Sequence, residues 1–168
     1  GGQAQAAKDI GGVKFSGRRV EGVGGKELGA LVDAAYQPLG GATVIHFIGI
    51  NAMASPTQCV PPQYHSTRRL ARGDMMFVEF TAAFGDFSGQ VLRSFAVGAR
   101  PSNLHRELHD AADAAFAAIT KILKPGVALA DLIAAAKGIE DAGFTVCDDL
   151  IHGYGGGYLP PVLGSASR

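Results

Sequence analysis

The chain has 168 residues, 47% of them apolar and only 18% charged, which suits one domain with a real core and excludes a disordered, solvating segment. Lys+Arg and Asp+Glu both number 15, so the net charge is zero, and no nucleic-acid or membrane-surface partner held by electrostatics is expected. No apolar run reaches the length of a transmembrane span and no signal-peptide pattern opens the chain, so the expected location is cytoplasmic.

Residues 1–25, rich in Gly, Ala and Gln, read as a loose N-terminal segment ahead of a domain over 26–168. "KELGALVDAAYQ" (26–37) sets Leu28, Leu31, Val32 and Ala35 on one face of a helix that Pro38 stops. "TVIHFIGI" (43–50) is β-branched and aromatic, hence a buried strand, in which His46 reads as a hydrogen-bonded core or pocket-edge residue. Residues 51–67 form a long loop with three prolines, a length that often carries function. "RGD" (72–74) makes a turn into the strand "MMFVEFTAAF" (75–84), "GDFSG" a hairpin connection, and "QVLRSFAVG" (90–98) the returning strand.

Next comes the strongest helical period of the chain: Leu104, Leu108, Ala111, Ala112, Ala115, Phe116, Ile119 and Ile122, ended by "KPG". "ALADLIAAAKGIEDAG" (128–143) predicts a further helix closed by Gly143, and "FTVCDDLI" (144–151) a strand or extended chain. The Gly-rich "HGYGGGYLPP" (152–161) follows. It lies between no βαβ strand and helix, and no Lys-Ser/Thr follows its glycines, so a dinucleotide or phosphate loop is excluded on context. The order of elements is α+β, an antiparallel sheet covered by helices. Cys59 and Cys147 lack metal-binding spacing and read as two lone thiols of a cytosolic protein. His105 and His109 stand at i, i+4, but Glu107 between them is off their face and no third ligand is evident, so they mark an exposed helix face.

Four stretches in order, "RRLARGDMMFVEF" (68–80), "GDFSGQVLRSFAVG" (85–98), "ILKPGVALADLIAAAKGIEDAG" (122–143) and "IHGYGGGYLPP" (151–161), resemble the pita-bread family of creatinase, methionine aminopeptidases and Xaa-Pro peptidases. The resemblance implies that fold, in partial form: 26–168 would be the N-terminal and middle portion of a catalytic-type domain lacking its C-terminal segment. That segment, possibly a separate chain, is then an expected partner, and a homodimer is expected by the same likeness.

The departures from the family pattern matter more. Its peptidases hold two metal ions with two strand aspartates, a histidine of the Gly-rich loop and two later glutamates, a hard-oxygen set that activates water. The matching positions here are Glu79, Gln90 eleven residues on, and Gly156. Glutamine offers a neutral carbonyl and glycine no side chain at all, so no metal and no other cofactor is expected. Creatinase is the family precedent for hydrolysis by side chains alone. The resemblance therefore points to His152, His65 and Glu79 as catalytic candidates, since a metal-free site needs a group that exchanges protons near neutral pH. Gln90, Arg93, Tyr154 and Tyr158 are substrate-binding candidates, through hydrogen bonds, ion pairing and pocket walls. The function implied is metal-independent hydrolysis of a C–N bond in a small amidine, amide or peptide-like substrate. Two alternatives stay open: a non-catalytic pita-bread binding module, and a metallo-aminopeptidase-like enzyme with a rebuilt metal site.

Overall fold

The computed structural model describes residues 14–15, 18–19, 21–154 and 159–164. They fall into two compact units, Gly1–Ser102 and Asn103–Arg168. The first unit opens with a two-residue ladder, β1 (Lys14–Phe15) against β2 (Arg18–Arg19). Helix α1 spans Gly25–Tyr36 and runs into a 3-10 turn, Gln37–Leu39, whose Pro38 lacks the N–H needed to continue an α-helix. At its start the Gly24 amide donates to Glu27 Oε2 at 2.7 Å. That bond, with the charge of Arg69, holds the Glu27 carboxyl below its ordinary value.

Strands β3 (Ala42–Ala52), β4 (Asp74–Phe84) and β5 (Phe87–Ala96) form one antiparallel sheet in that order. The β4–β5 hairpin is tighter than the sequence suggests. Phe84 pairs with Phe87 across a two-residue turn, and Gly85 supplies the positive φ (58°) that such a turn requires. Because opposed residues share a face, the registers divide the side chains. Ile48 with Val78, Ile50 with Met76 and His46 with Phe80 lie on one face, as do Val78 with Arg93 and Phe80 with Val91. The other face carries Phe47, Glu79 and Leu92 in one row, Thr81 with Gln90 in the next, and Gly49 opposite Phe77. Gly49 is forced here: a methyl group in its place would sit 2.2 Å from Phe77 Cζ.

Leu28 of α1 packs onto the first face, where Ile48, Ile50, Leu70, Met76, Val78 and Val97 make the main core, with Val23, Phe80 and Phe95 beside it. The "RGD" triplet is a turn, as its sequence predicts. Asp74 is buried, accepting from Arg68 Nη2 at 2.6 Å and from the Ala71 amide at 2.9 Å. Buried Asn51 pins the long loop, donating to the Gln58 carbonyl at 2.7 Å and accepting from the Thr57 amide at 3.1 Å.

The second unit holds α2 (Asn103–Ile122), α3 (Leu129–Ala135) and α4 (Gly138–Asp141). The single helix expected over 128–143 is thus two. Around the break the Ala136, Lys137 and Ile139 amides reach back only three residues, a tightening that Gly138, a weak helix former, does not resist. Ala115 and Ile119 of α2 meet Leu132 and Ala136 in this unit's core, while Leu104, Leu108 and Phe116 of the predicted stripe are exposed. Strand β6 (Ile151–Gly153) pairs with β7 (Leu159–Leu163). Its register jumps between His152↔Val162 and Gly153↔Leu159, so Pro160 and Pro161, which have no N–H to give, are skipped. Cys59 and Cys147 are exposed and form no disulfide. No helix among the described residues is long and apolar enough to cross a membrane.

Candidate active site

Glu79 in β4 and Gln90 in β5 are on the same sheet face, one row apart. Gln90 Nε2 donates to Glu79 Oε1 at 2.6 Å and lies 3.5 Å from Thr81 Oγ1, a hydroxyl that is almost wholly buried. The two side chains therefore meet as donor and acceptor, where a dication pair needs two anionic oxygens. The described residues contain no group of three or more His, Cys, Asp or Glu able to hold a metal ion. On both counts they do not fit the dinuclear centre that the strand pattern implies, and no step is routed through one.

His65 sits in the long loop, but its ring turns toward α1. Nε2 donates to the His46 carbonyl at 3.0 Å, and the ring lies over Gly25 and Gly29, with Cε1 3.0 Å from where a methyl at position 29 would be. Arg93 is not beside Glu79 and Gln90. Its Cα partner is Val78, on the core face, and its exposed guanidinium donates to the Leu92 carbonyl at 2.7 Å.

In the second unit, His152 is on β6, and Nδ1 donates to the Gly153 carbonyl at 3.0 Å. A carbonyl can only accept, so the neutral ring keeps Nε2 bare for proton exchange. Tyr154 meets this ring edge-on with centroids 6.4 Å apart. Tyr158 and Gly156 lie outside the described residues. His109 and Asp113, 3.8 Å apart, are both largely exposed, while His105 is half-buried.

One polar cluster went unseen in the sequence. Asp33 Oδ1 accepts from Tyr36 Oη at 2.6 Å and from Thr43 Oγ1, and lies 3.0 Å from His46 Nε2. Its signal was faint: Asp33 and Tyr36 one turn apart on α1, and a histidine interrupting an apolar strand. Burial pushes the Asp33 carboxyl up, but the hydrogen bonds of Thr43 and Tyr36 and the proximity of His46 outweigh it, so its pKa is lowered. Burial, then the bond to Asp33, raises that of Tyr36. A carboxyl lowered on folding contributes stability above its unfolded pKa of about 3.9, and loses it as pH falls through the lowered value. Urea unfolding at about pH 6 and about pH 3 should show a smaller acid loss in Asp33→Asn than in the parent chain. Equal losses would mean that Asp33 carries none of the linkage.

The fold and these paired strands have the pita-bread architecture. It aligns with an X-Pro aminopeptidase from Thermotoga maritima at a TM-score of 0.76 and 20% identity, over 97% of this chain and 45% of that one. With prolidase from Pyrococcus furiosus the TM-score is 0.75 and the identity 21%, over 88% and 44%. The chain thus spans under half the length of either. A family model described as metallopeptidase family M24 matches residues 3–161, and the chain belongs to that hydrolase family. Among curated proteins, an alanine–tRNA ligase from Paracoccus denitrificans is 33% identical over 123 residues, 73% of this chain but 13% of the ligase.

Proposed function

We propose that this member of the family is a metal-independent, creatinase-like hydrolase acting on a C–N bond of a small amidine, amide or peptide-like substrate. One observation carries the proposal: the Gln90 amide is bonded to the Glu79 carboxylate where the family's metal ligands belong. A carboxylate flanked by an amide suits neutral or cationic C–N groups. In the proposed reaction His152 Nε2 takes a proton from water as the oxygen adds to the carbon. It returns that proton to the leaving nitrogen as the C–N bond breaks. In the first unit Glu79 and Gln90 are the proposed substrate-binding pair; in the second, Tyr154 stands beside His152. His65, packed against α1, and Arg93, at the register of Val78, lie away from Glu79 and Gln90 and take no part in the proposed step.

We also propose, as partners, a further segment of the kind that completes the domain in longer family members, and a second copy of the chain. Support comes from β5, whose Phe87, Leu92 and Val91 are 85%, 54% and 41% exposed. The same exposure favours a second reading, a non-catalytic binding module. The likeness to alanine–tRNA ligase spans too little of that enzyme to carry its activity across.

The test is elemental analysis of the isolated protein, run alongside turnover of a panel of amides, amidines and dipeptides. Turnover without stoichiometric metal, unaffected by a chelator, is the expected outcome. Stoichiometric metal whose removal abolishes turnover would replace this proposal with a rebuilt metal site. A folded, metal-free chain that turns over nothing would favour the binding module.

A further inference from the structure

Gln90 meets Glu79 and Thr81 through one atom of its amide. Nε2 donates to Glu79 Oε1 at 2.6 Å and lies 3.5 Å from Thr81 Oγ1. An amide nitrogen has two hydrogens to give, and these are the two oxygens within reach of them. Turning the amide over would set its carbonyl oxygen against a carboxylate oxygen, two acceptors with no hydrogen between them. Thr81 is 1% exposed, and the β4–β5 ladder sets it directly opposite Gln90, with Glu79 in the next row of the same face. The orientation of the amide is therefore fixed by its neighbours. It is the reverse of one that would aim N–H groups at a substrate.

What Gln90 has left for a ligand is its carbonyl oxygen. Among the described residues Oε1 accepts no hydrogen bond, and Gln90 is only half-buried. Phe47 and Leu92 flank Glu79 in its row, apolar neighbours that strengthen a hydrogen bond made beside them. A carbonyl oxygen can only accept. It gives nothing to a substrate carbonyl or to an oxyanion forming there, and it pairs with an N–H. Primary and secondary nitrogens carry that hydrogen, whereas a fully substituted one, such as the nitrogen of an X–Pro bond, does not.

We infer that Gln90 is a specificity-determining residue: with its nitrogen held by Glu79 and Thr81, its carbonyl selects C–N groups that carry an N–H and disfavours tertiary ones. The inference rests on the reading of Glu79 and Gln90 as the substrate-binding pair, and it narrows the substrate class proposed for them. A fully substituted nitrogen brought to this pair would strip Oε1 of water and offer no donor in exchange. One neutral hydrogen bond of this kind amounts to about a twofold to tenfold difference in affinity.

The test is calorimetric titration of the full chain with two matched pairs of probes: glycylglycine against glycylsarcosine, and N-methylbenzamide against N,N-dimethylbenzamide. Within each pair one N–H is exchanged for N–CH3. The N–H member of at least one pair should bind about twofold to tenfold more tightly. Equal affinities, the reverse preference, or binding of none of the four overturns the inference. Gln90→Met keeps the length of the side chain and removes the carbonyl, so the preference should fall to about one. Its persistence in the folded variant would mark a steric wall and take the selection away from Gln90; Gln90→Leu repeats the comparison if Gln90→Met does not fold. Hydrolysis is followed in the same samples. A Gln90-dependent preference with no hydrolysis of any probe would sink the hydrolase reading and leave the inference standing. Hydrolysis of both members of a pair at equal rates and equal affinities would do the reverse.

Discussion

Ile48→Ala is expected to lower the unfolding free energy by about 2–5 kcal/mol, the usual cost of emptying a closed aliphatic site. Ile48 is 0% exposed and belongs to the cluster of Leu28, Ile50, Leu70, Met76, Val78 and Val97. Its Cα partner is Val78, and α1 covers the face through Leu28. Removing its outer carbons strips contacts from residues whose backbones are held by the sheet ladder and cannot close the gap. Against a total stability of roughly 5–15 kcal/mol for an ordinary domain, such a loss is a large share. Urea titration reads it as a fall in midpoint at unchanged slope. A loss below about 1 kcal/mol would mean that the first unit's core is not closed at Ile48.

The second large effect is on activity. His152→Ala should cut turnover of a C–N substrate by at least about a hundredfold, the usual share of a general acid–base. The ring is held by its bond to the Gly153 carbonyl and by its contact with Tyr154, and its loss removes no buried apolar group. Stability should therefore change little while kcat falls. Unchanged turnover in a folded variant would take His152 out of the mechanism and leave the Gly153 bond as its whole role.

Much of the fold was written in local pattern. The β-branched run at 43–50 became β3, lengthened by two residues at its far end and one at its near end, and the period through Leu104–Ile122 became α2. The boundary set by Pro38 was legible because it acts through that residue's own φ and N–H, whereas the two-residue turn at Gly85–Asp86 was read as a connection over 85–89. The break before Gly138 was not. It depends on a weak helix former in a stretch whose apolar spacing still looks continuous.

At the candidate site, the residue types at 79 and 90 were plain, but their mutual hydrogen bond depends on register, which no short window of sequence shows. Arg93 was misplaced for a simpler reason. It stands three positions from Gln90, an odd step, and strand side chains alternate, so the two fall on opposite faces. The likeness to a family pattern outweighed that parity. The slot that takes the His65 ring joins residues 25, 29, 46 and 65, an arrangement visible only once α1 lies on the sheet.

The turn at Gly85–Asp86 has a consequence for how this chain can change over generations. One residue inserted there would shift every position of β5 by one against β4 and send Gln90 to the far side of the sheet. The loop around Cys59, tied down by Asn51 at one end and His65 at the other, can lengthen between them at small entropic cost. Insertions and deletions among descendants of this sequence should collect in that loop and spare the hairpin, whichever side chains come to occupy positions 79 and 90.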